Sequence, residues 1–432
     1  MRPDFRQRRD RVVQAIRPGA LVLFSAPLAI RNNDVEHEYR QDSDFYYLTG
    51  FDEPESVLVL STVPEPKLTM FVLPRDPERE TWDGPRAGVE GAMRDFGADA
   101  AFPIAELGAK LPELLENVES VHYAIGRVRE HDDVVLSALR RVRGKAKTGV
   151  AAPRAIVDSF PTLHELRLLK SAEELALMDR AAAITAEAHL LAMAQTAPGK
   201  YEYEIEALLR AVFRRHGSER PAYTPIVGSG PNATILHHRR NDRLMHDGEL
   251  LLIDAGCEYG YYASDVTRTF PVNGKFSAEQ RAVYQIVLDA QLAAIAASTP
   301  GKTLDEIHRA AAEVIVRGLI DLGAIEGPPE EALEKGRHRP FFMHKTSHYL
   351  GMDVHDVGSY HVAGKPRPLS PGMVITVEPG LYFGANDERA PERLRGIGVR
   401  IEDDVLIGED QPVVITQAIP KSIDEVERAC AS

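Results

Sequence analysis

A short internal repeat constrains the fold of this chain more than any other feature of its sequence. The segments TAPGKYEYEIEALLRAV (196–212) and STPGKTLDEIHRAAAEV (298–314) share Pro-Gly-Lys and Glu-Ile at one constant offset. Each follows an alanine-rich helical stretch and opens an amphipathic one. Pro-Gly loops before helices are common, but the matching flanks favour a duplicated helix-loop-helix unit over chance. Because strand-like sequence follows each copy, we predict two facing α/β halves with a ligand site between them.

The chain is long enough for two domains, since its 432 residues exceed the roughly 250–300 that one core supports. The predicted fold class is α/β (α+β), with an amino-terminal α/β domain over 1–165 and the duplicated domain over 166–432. The boundary lies before a capping box, Ser171 and Glu174, and a long helix to about Gln195. In the first domain, β-branched and aromatic content predicts strands at 21–25, 44–50, 56–61 and 68–73, and helical patterns at 105–118 and 132–144. The segment 74–88, which holds Trp82, is predicted to be a loop.

Composition excludes several classes of function. A net charge of -14 argues against nucleic-acid binding, which needs a basic face. The two cysteines, Cys257 and Cys430, form no disulfide framework and fit a reducing compartment. The charged start of the chain lacks the apolar core of a signal peptide, and no apolar run approaches the ~20 residues that span a bilayer. We therefore expect a cytoplasmic protein that binds neither membranes nor nucleic acid.

The segment ELLLIDAGCEYGYYASDVTRTF (249–270) predicts a carboxylate pair. Folded as a hairpin about Tyr259, it places Asp254 opposite Asp265, with Cβ atoms roughly 4.5–5.5 Å apart. Isolated aspartates usually serve turns or caps, but these two lie within apolar or β-branched runs. Two carboxylates this close repel each other unless a proton or a cation lies between them. The segment therefore calls for a metal.

The segment HRPFFMHKTSHYLGMDVHDVG (338–358) supplies candidate imidazole ligands. His344 and His348 are four residues apart, which on a helix places them on one face. Lys345 stands where the general-base glutamate of the H-E-x-x-H zinc motif would be, and Gly351 limits any helix. We therefore expect one histidine as a metal ligand and the others near the substrate. For any single histidine here, a satisfied and partly buried imidazole is the favoured explanation, but four histidines in one short stretch weaken it.

Two strand-like segments, VITVEPGLYFG (374–384) and GIGVRIEDDVLIG (396–408), each carry a glutamate among apolar residues. Burying Glu378 or Glu402 without a partner costs several kcal/mol, so each needs a cation or a donor. Arg400, which shares a face with Glu402 and Asp404 by period two, is one such donor. A metal site accounts for all the acidic residues together.

The candidate ligands form an oxygen-rich set with one nitrogen: Asp254, Asp265, His348, Glu378 and Glu402. Four negative charges balance two divalent cations. Such a set suits Mn²⁺ or Mg²⁺ better than a thiolate-preferring metal, with Zn²⁺ and Co²⁺ still open. Two metals ~3.5–4 Å apart perform hydrolytic chemistry.

These segments, together with IVGSGPNATILHH (226–238) and RNNDVEHEYRQDSDFYYLTGF (31–51), resemble in order the sequence blocks of the Xaa-Pro aminopeptidases (aminopeptidase P), in the pita-bread metallopeptidase family. The resemblance covers most of the chain. It implies a pita-bread catalytic domain with pseudo-two-fold halves. It also implies hydrolysis of the bond before a proline at the second position of a peptide, by a hydroxide that bridges two metals, most often Mn²⁺.

The same resemblance implies individual roles. Asp265 and Glu402 would bridge both metals, and Glu378 would also relay a proton. His355 and His237 would act near the scissile bond, His355 on the tetrahedral intermediate or the leaving nitrogen. The implied substrate-side residues are Arg400, Tyr382, His344 and Trp82.

The resemblance also bears on the amino-terminal domain. Trp82, and with it Arg86, resembles residues that cover a neighbouring subunit's active site, which implies a homotetramer or dimer. Lys345-Thr346 departs from the small or apolar residues usual between the two histidines, so an added positive charge near the pocket can alter substrate range.

Two alternatives remain, and a third is excluded. The first is prolidase, which cuts only Xaa-Pro dipeptides. Whether the chain is a prolidase or an aminopeptidase P depends on whether its pocket admits a residue after proline. The compact methionine aminopeptidases are excluded by the length of the amino-terminal domain. A non-catalytic pita-bread binding protein should have lost metal ligands, and all five are present.

Overall fold

The computed structural model describes residues 3–65 and 67–431. It separates into two compact units, an amino-terminal unit (Arg2–Leu166) and a carboxy-terminal unit (Arg167–Ser432). The predicted α/β class is confirmed, because both units combine helices with mixed or antiparallel sheets. Within the described residues, no helix is long and apolar enough to cross a membrane.

The amino-terminal unit is built on one mixed sheet in the order β6-β5-β4-β1-β7-β8. Its helices are α1 (Phe5–Ile16), α2 (Ser43–Thr49), α3 (Pro77–Asp83), α4 (Gly88–Phe96), α5 (Leu107–Leu114), α6 (Arg129–Gly144) and α7 (Phe160–Leu168), with 3₁₀ turns at Ile104–Glu106 and Ala146–Thr148. Its strands are β1 (Gly19–Phe24), β2 (Ile30–Asn32), β3 (Val35–Glu36), β4 (Val57–Ser61), β5 (Lys67–Val72), β6 (Ala100–Pro103), β7 (Ser120–His122) and β8 (Ala155–Val157). Strands β1, β4 and β5 bury one face against α5 and α6, through Ala20, Val22, Val57, Val59 and Phe71.

Two predictions in this unit were wrong. Residues 44–50 form helix α2 instead of a strand, because Asp42 caps the amides of Asp44 and Phe45 and Gly50 ends the helix at φ 65°. These caps outweigh the β-propensity of the aromatic residues between them. The segment 74–88 is not all loop, since α3 begins at Pro77.

The carboxy-terminal unit contains small antiparallel sheets surrounded by long helices. Its helices are α8 (Ala172–Gln195), α9 (Glu202–Arg215), α10 (Ala278–Ala297), α11 (Leu304–Asp321), α12 (Pro329–Glu334) and α13 (Ile423–Cys430), with 3₁₀ turns at Gly230–Thr234 and Glu392–Leu394. Its strands are β9 (Arg220–Pro221), β10 (Ile226–Ser229), β11 (Leu250–Asp254), β12 (Cys257–Tyr259), β13 (Tyr262–Ala263), β14 (Thr267–Pro271), β15 (His361–Val362), β16 (Lys365–Pro366), β17 (Val374–Val377), β18 (Gly380–Tyr382), β19 (Gly398–Arg400), β20 (Asp403–Ile407) and β21 (Pro412–Val414).

The duplicated helix-loop-helix unit is confirmed. Helices α8 and α9 form the first copy, and α10 and α11 form the second. Each pair is joined through the shared Pro-Gly-Lys loop, where Gly199 has φ 88° and Gly301 has φ 84°. Glycine adopts this left-handed conformation readily, which explains why both copies carry it. The long first helix of each copy begins with a capping box, as the sequence predicted at Ser171.

The hairpin over 249–270 forms, but its register differs from the prediction. Gly260 (φ 56°) and Tyr261 (φ 72°) make a two-residue turn with both residues left-handed, which twists the strands as a hairpin requires. Strand β11 therefore pairs Asp254 with Thr267, and Asp265 lies two residues before that partner. The prediction centred the turn one residue too early, so Asp254 and Asp265 are not directly opposed.

Candidate metal centre

A cavity of about 590 Å³ in the carboxy-terminal unit collects nearly all of the predicted site residues. Strand ends from both halves of the unit reach it, since β11 belongs to the first half and β17 and β19 to the second. The lining includes Tyr223, His237, Asp254, Asp265, His344, Lys345, His348, His355, Tyr360, Glu378, Arg400 and Glu402. The site thus lies between the two halves, as the repeat predicted.

The two aspartates are joined by a tyrosine hydroxyl. Tyr223 contacts one carboxylate oxygen of Asp254 and one of Asp265. The other Asp254 oxygen accepts a hydrogen bond from Arg400 at 2.6 Å. The backbone amide of Asp265 donates to Asp404 at 3.1 Å, which fixes the peptide that carries this carboxylate. Both aspartates are buried.

Glu402 lies in a break between strands. Strand β19 ends at Arg400 and β20 begins at Asp403, so the uninterrupted period-two face predicted over this segment does not form. The Glu402 carboxylate accepts a hydrogen bond from Thr267 at 2.7 Å. Arg400 instead makes its ion pair with Asp254. It reaches Glu402 only through the Thr267 hydroxyl, to which it donates at 3.0 Å, and through its charge.

His348 and Glu378 come from neighbouring segments that are tied by their backbones. No helix forms over 341–350, so the one-face arrangement of His344 and His348 is not the reason they meet. Tyr349 makes a β-bridge to Ile375, which brings His348 beside strand β17. The Nδ1 of His348 donates to the Tyr349 carbonyl at 3.0 Å, which turns Nε2 toward Asp265 (3.4 Å) and Glu378 (3.6 Å).

Two glutamates of the cavity, Glu378 and Glu402, hold protons more readily than usual when no cation is present. Burial raises the pKa of Glu378 to about 8, with a further contribution from Asp265. Burial and then the charges of Asp265 and Glu378 raise the pKa of Glu402 well above its ordinary value. Burial opposes protonation of His348, but its hydrogen bond to Asp265 and the charge of Glu378 still raise its pKa to about 9. Crowded acids of this kind are stabilised by a cation.

The donor atoms fit a divalent metal. Ligand atoms of Asp265, His348 and Glu402 all lie within 4.8 Å of one another. Asp254 and Glu378 line the same cavity. Asp254 shares the Tyr223 hydroxyl with Asp265, and Glu378 faces His348. Carboxylate oxygens with one imidazole are the donors that Mn²⁺, Zn²⁺ and similar ions take in proteins. The residues present therefore fit a divalent metal site.

The predicted substrate-side residues of this unit also line the cavity, apart from Tyr382. Tyr382 contacts two of the residues that do, Arg400 and His344. The Tyr382 hydroxyl accepts from Arg400 at 3.0 Å and lies 2.9 Å from His344 Nε2. Burial lowers the pKa of His344 to about 4, so this histidine is neutral and its Nε2 accepts a hydrogen bond from the Tyr382 hydroxyl. The ring of His355 lies 4.2 Å from that of His348, and His237 lines the cavity.

Trp82 belongs to the amino-terminal unit and is 86% exposed in helix α3. It is absent from the described lining of the cavity. Its neighbour Arg86 contacts Asp83 within the same unit.

Three residues of the site were missed in the sequence. Tyr223 lies on a short irregular segment, 31 and 42 residues from the two aspartates it contacts, and no periodicity marks it. Thr267 was visible only as the strand partner of Asp254, which the wrong register concealed. Asp404 was predicted only as a strand residue. Its hydrogen bonds to Ser264 (2.8 Å) and to the Asp265 amide join segments far apart in the chain, so the sequence did not reveal them.

Comparison with known proteins identifies the family. Residues 176–409 match the model of metallopeptidase family M24, and residues 5–123 match that of the aminopeptidase P N-terminal domain. The chain is 44% identical over 429 residues to the Xaa-Pro aminopeptidase of Escherichia coli K12, covering 99% of this chain and 97% of that protein. The structure of Pseudomonas aeruginosa aminopeptidase PepP superposes with a TM-score of 0.97 at 46% identity, covering 99% of this chain and 97% of that one. An Escherichia coli aminopeptidase P variant solved in complex with substrate gives a TM-score of 0.96 at 43% identity, with 99% and 98% coverage.

Proposed function

Because this chain belongs to metallopeptidase family M24, we propose that it is a metal-dependent Xaa-Pro aminopeptidase that removes the first residue of peptides with proline at the second position. The observation that carries the proposal is the convergence of the acidic residues and His348 on one cavity, in a chain that matches curated Xaa-Pro aminopeptidases over nearly its whole length. Proline fits such a site because its amide nitrogen carries no hydrogen, so the cavity need not provide an acceptor for it.

We assign the divalent metals to Asp254, Asp265, His348, Glu378 and Glu402, with Asp265 and Glu402 shared between two ions. Mn²⁺ is the proposed ion, since four oxygen ligands and one imidazole favour a hard cation. Bound there, the metals would polarise the scissile carbonyl and make water nucleophilic at neutral pH. The close approach of Asp265, His348 and Glu402 supports this assignment.

Glu378 is the proposed proton carrier. It is the most exposed of the acidic ligand candidates, with 19% of its side chain accessible, and it faces the cavity beside His348. A carboxylate in this position can accept a proton from water and return it to the leaving group. The leaving proline nitrogen must gain a proton before it departs, so such a relay serves both halves of the reaction.

His355 and His237 are the proposed donors at the scissile bond. Both are exposed side chains on the cavity wall, where a substrate carbonyl can reach them. Partial desolvation against the cavity wall, and then the charge of His348, lower the pKa of His355, so this histidine is neutral and donates one ring N–H. A neutral donor stabilises the negative charge that develops on a carbonyl oxygen during attack.

Arg400, Tyr382 and His344 form a buried relay of hydrogen bonds beside Asp254. Arg400 donates to Asp254 and to Tyr382, and Tyr382 donates to His344. Burial raises the pKa of Tyr382 to about 12, which keeps its phenol protonated. We assign this relay to holding Asp254 in place and to lining the substrate pocket.

We propose that residues 1–165 provide an oligomerisation and cover domain for the catalytic domain 166–432. The exposure of Trp82 at 86% suits an aromatic residue that contacts a neighbouring subunit of a dimer or tetramer. The cytoplasm is the proposed location, supported by two cysteines that are both free.

Substrate length distinguishes this function from its nearest rival, prolidase. We expect the purified protein with Mn²⁺ to cleave a tripeptide Xaa-Pro-Yaa between its first two residues and to release Pro-Yaa. The paired measurement is cleavage of the dipeptide Gly-Pro under the same conditions, with an Xaa-Ala-Yaa peptide as the specificity control. Activity on the dipeptide alone would assign the chain to the prolidases.

Lys345 gives a second prediction on substrate range. Its side chain is 72% exposed, lines both the main cavity and an adjoining cavity of about 350 Å³, and lies 3.2 Å from Asp305. We expect Lys345→Ala to lower kcat/KM about 2- to 5-fold for substrates with an acidic third residue and to leave neutral ones nearly unchanged, the scale of an exposed charge interaction. Lys335→Ala, which alters an exposed lysine on another surface, is the control. Equal losses on neutral and acidic substrates would remove Lys345 from substrate selection.

A further inference from the structure

A buried charge cluster lies beneath the loop that carries His355. The Asp356 carboxylate accepts from Arg167 at 2.7 Å and from Lys170 at 3.0 Å, and Arg167 also donates to Asp353 at 2.7 Å. The side chains of Arg167, Lys170 and Asp356 are at most 2% exposed. Ionic groups this buried are costly to desolvate and stay charged only when well paired.

The pairing keeps Asp356 ionised. Burial opposes the charged form, but the charges of Lys170 and Arg167 outweigh it and hold the Asp356 pKa below its ordinary value. Space around the carboxylate is tight, because a Cβ on Gly351 would lie 2.2 Å from Asp356 Oδ2. Glycine at 351 therefore permits the loop to close over the cluster.

The loop closes on itself next to the metal centre. The backbone amide of Asp356 donates to the Tyr349 carbonyl at 2.8 Å. His348 immediately precedes Tyr349, and His355 immediately precedes Asp356. This closure sets the two imidazoles side by side, with ring centroids 4.2 Å apart.

We infer that Arg167 and Lys170, acting through Asp356, are positioning residues that hold His355 at the scissile bond. This inference rests on the proposed function, because it assigns the cluster to the geometry of a catalytic histidine. None of the three charged side chains lines the main cavity in the described structure, so their effect on the reaction passes through the loop.

The cluster has a merely structural explanation that predicts a different result. If it only stabilises the fold, its loss lowers the melting temperature and the folded fraction, and the folded enzyme keeps its kcat. If it positions His355, the folded enzyme loses kcat with KM little changed, because a small displacement of a catalytic group is costly.

The test is a double-mutant cycle on kcat/KM for an Xaa-Pro-Yaa peptide. We expect Asp356→Asn to lower the value about 10- to 100-fold in the wild-type background. In the His355→Ala background we expect the same substitution to change the residual activity by less than about twofold, since the group it positions is gone. An equal loss in both backgrounds would overturn the inference.

Two matched variants separate charge from fold. Lys170→Arg retains the cation and should retain most of the kcat, whereas Lys170→Met should behave like Asp356→Asn. Glu427→Gln is the control, because Glu427 is likewise an acid held by two cations, Lys275 and Arg281, and it lies away from the cavity on α13. It should lower stability without lowering the kcat of the folded enzyme.

A readout without turnover completes the test. Amide hydrogen exchange in the metal-free protein should accelerate over residues 350–358 in Asp356→Asn and should be unchanged over this segment in Glu427→Gln. Unchanged exchange in Asp356→Asn would contradict the inference even where activity falls. The proposed function fails if the wild-type protein does not cleave Xaa-Pro-Yaa. Because exchange is measured without substrate, that outcome is distinguishable from failure of the positioning inference.

Discussion

Replacing Glu378 with glutamine should lower kcat/KM for an Xaa-Pro-Yaa substrate by at least about 100-fold, the usual contribution of a positioned acid-base group. Glutamine keeps the size of the side chain and its contacts next to His348, but it neither takes up nor returns a proton. It also removes one of the negative charges that favour divalent metals in the cavity. The measurement is steady-state kinetics with Mn²⁺ in excess, together with the metal content of the purified variant.

A glutamine substitution at an exposed acid provides the control for this experiment. Glu331 pairs with Lys335 on the surface of α12, and Glu331→Gln should retain wild-type kinetics. If Glu378→Gln is also fully active while binding metal normally, then Glu378 does not carry the proton. If the variant loses metal as well as activity, titration with higher Mn²⁺ separates the role of Glu378 as a metal ligand from its role as a proton carrier. Excess Mn²⁺ restores activity that was lost through weaker metal binding, but it does not replace the missing proton carrier.

Removing the divalent metals should abolish activity and destabilise the catalytic domain. A ligand at about 1,000 times its Kd stabilises the folded state by ~4 kcal/mol. For a domain of this size, such a loss lowers the melting temperature by roughly 10 °C. Differential scanning fluorimetry before and after dialysis against a chelator measures this fall in melting temperature. Re-addition of Mn²⁺ should restore both the melting temperature and the activity. Full activity after the metal content falls to zero would contradict the metal assignment.

The stabilisation by metal should grow as the pH rises from about 5 to about 8. In the metal-free protein the pKa of Glu378 is raised from 4.5 to about 8, so the folded state binds more protons than the unfolded state across that window. Stability that depends on such a proton is present below pH 4.5 and is lost as the pH rises through 8. The raised pKa of His348, about 9, acts in the same direction. A cation that takes the place of these protons prevents this loss of stability at high pH. The difference in melting temperature between the metal-loaded and the metal-free protein should therefore widen as the pH rises.

Three of the five proposed ligands could be selected from the sequence because each violates a local rule. Asp254, Glu378 and Glu402 are charged residues at the ends of apolar runs, where burial is expensive unless a partner exists. The repeat around Gly199 and Gly301 placed the two groups of acids in facing halves, and the fold has that arrangement. Local patterns of this kind depend only on residues near one another in the chain.

The missed features depend on tertiary contacts or on turn geometry. The bond from Tyr223 to the aspartates joins segments that are 31 and 42 residues apart, and no sequence pattern encodes it. The register error arose from a turn whose second residue, Tyr261, adopts a left-handed conformation that propensity assigns to glycine or asparagine. The partner of Arg400 was unpredictable for a similar reason, because several acids lay within its possible reach and only the fold selects Asp254.

Metal stoichiometry measured together with peptide cleavage tests the central claim most directly. Metal-free protein titrated with Mn²⁺ should bind two ions per chain and recover cleavage of Xaa-Pro-Yaa as the ions bind. Glu402→Ala, which removes a ligand shared by both ions in our assignment, should bind fewer ions and remain inactive at the same Mn²⁺ concentration. Wild-type cleavage with no bound metal, or two tightly bound ions and full activity in Glu402→Ala, would contradict this account.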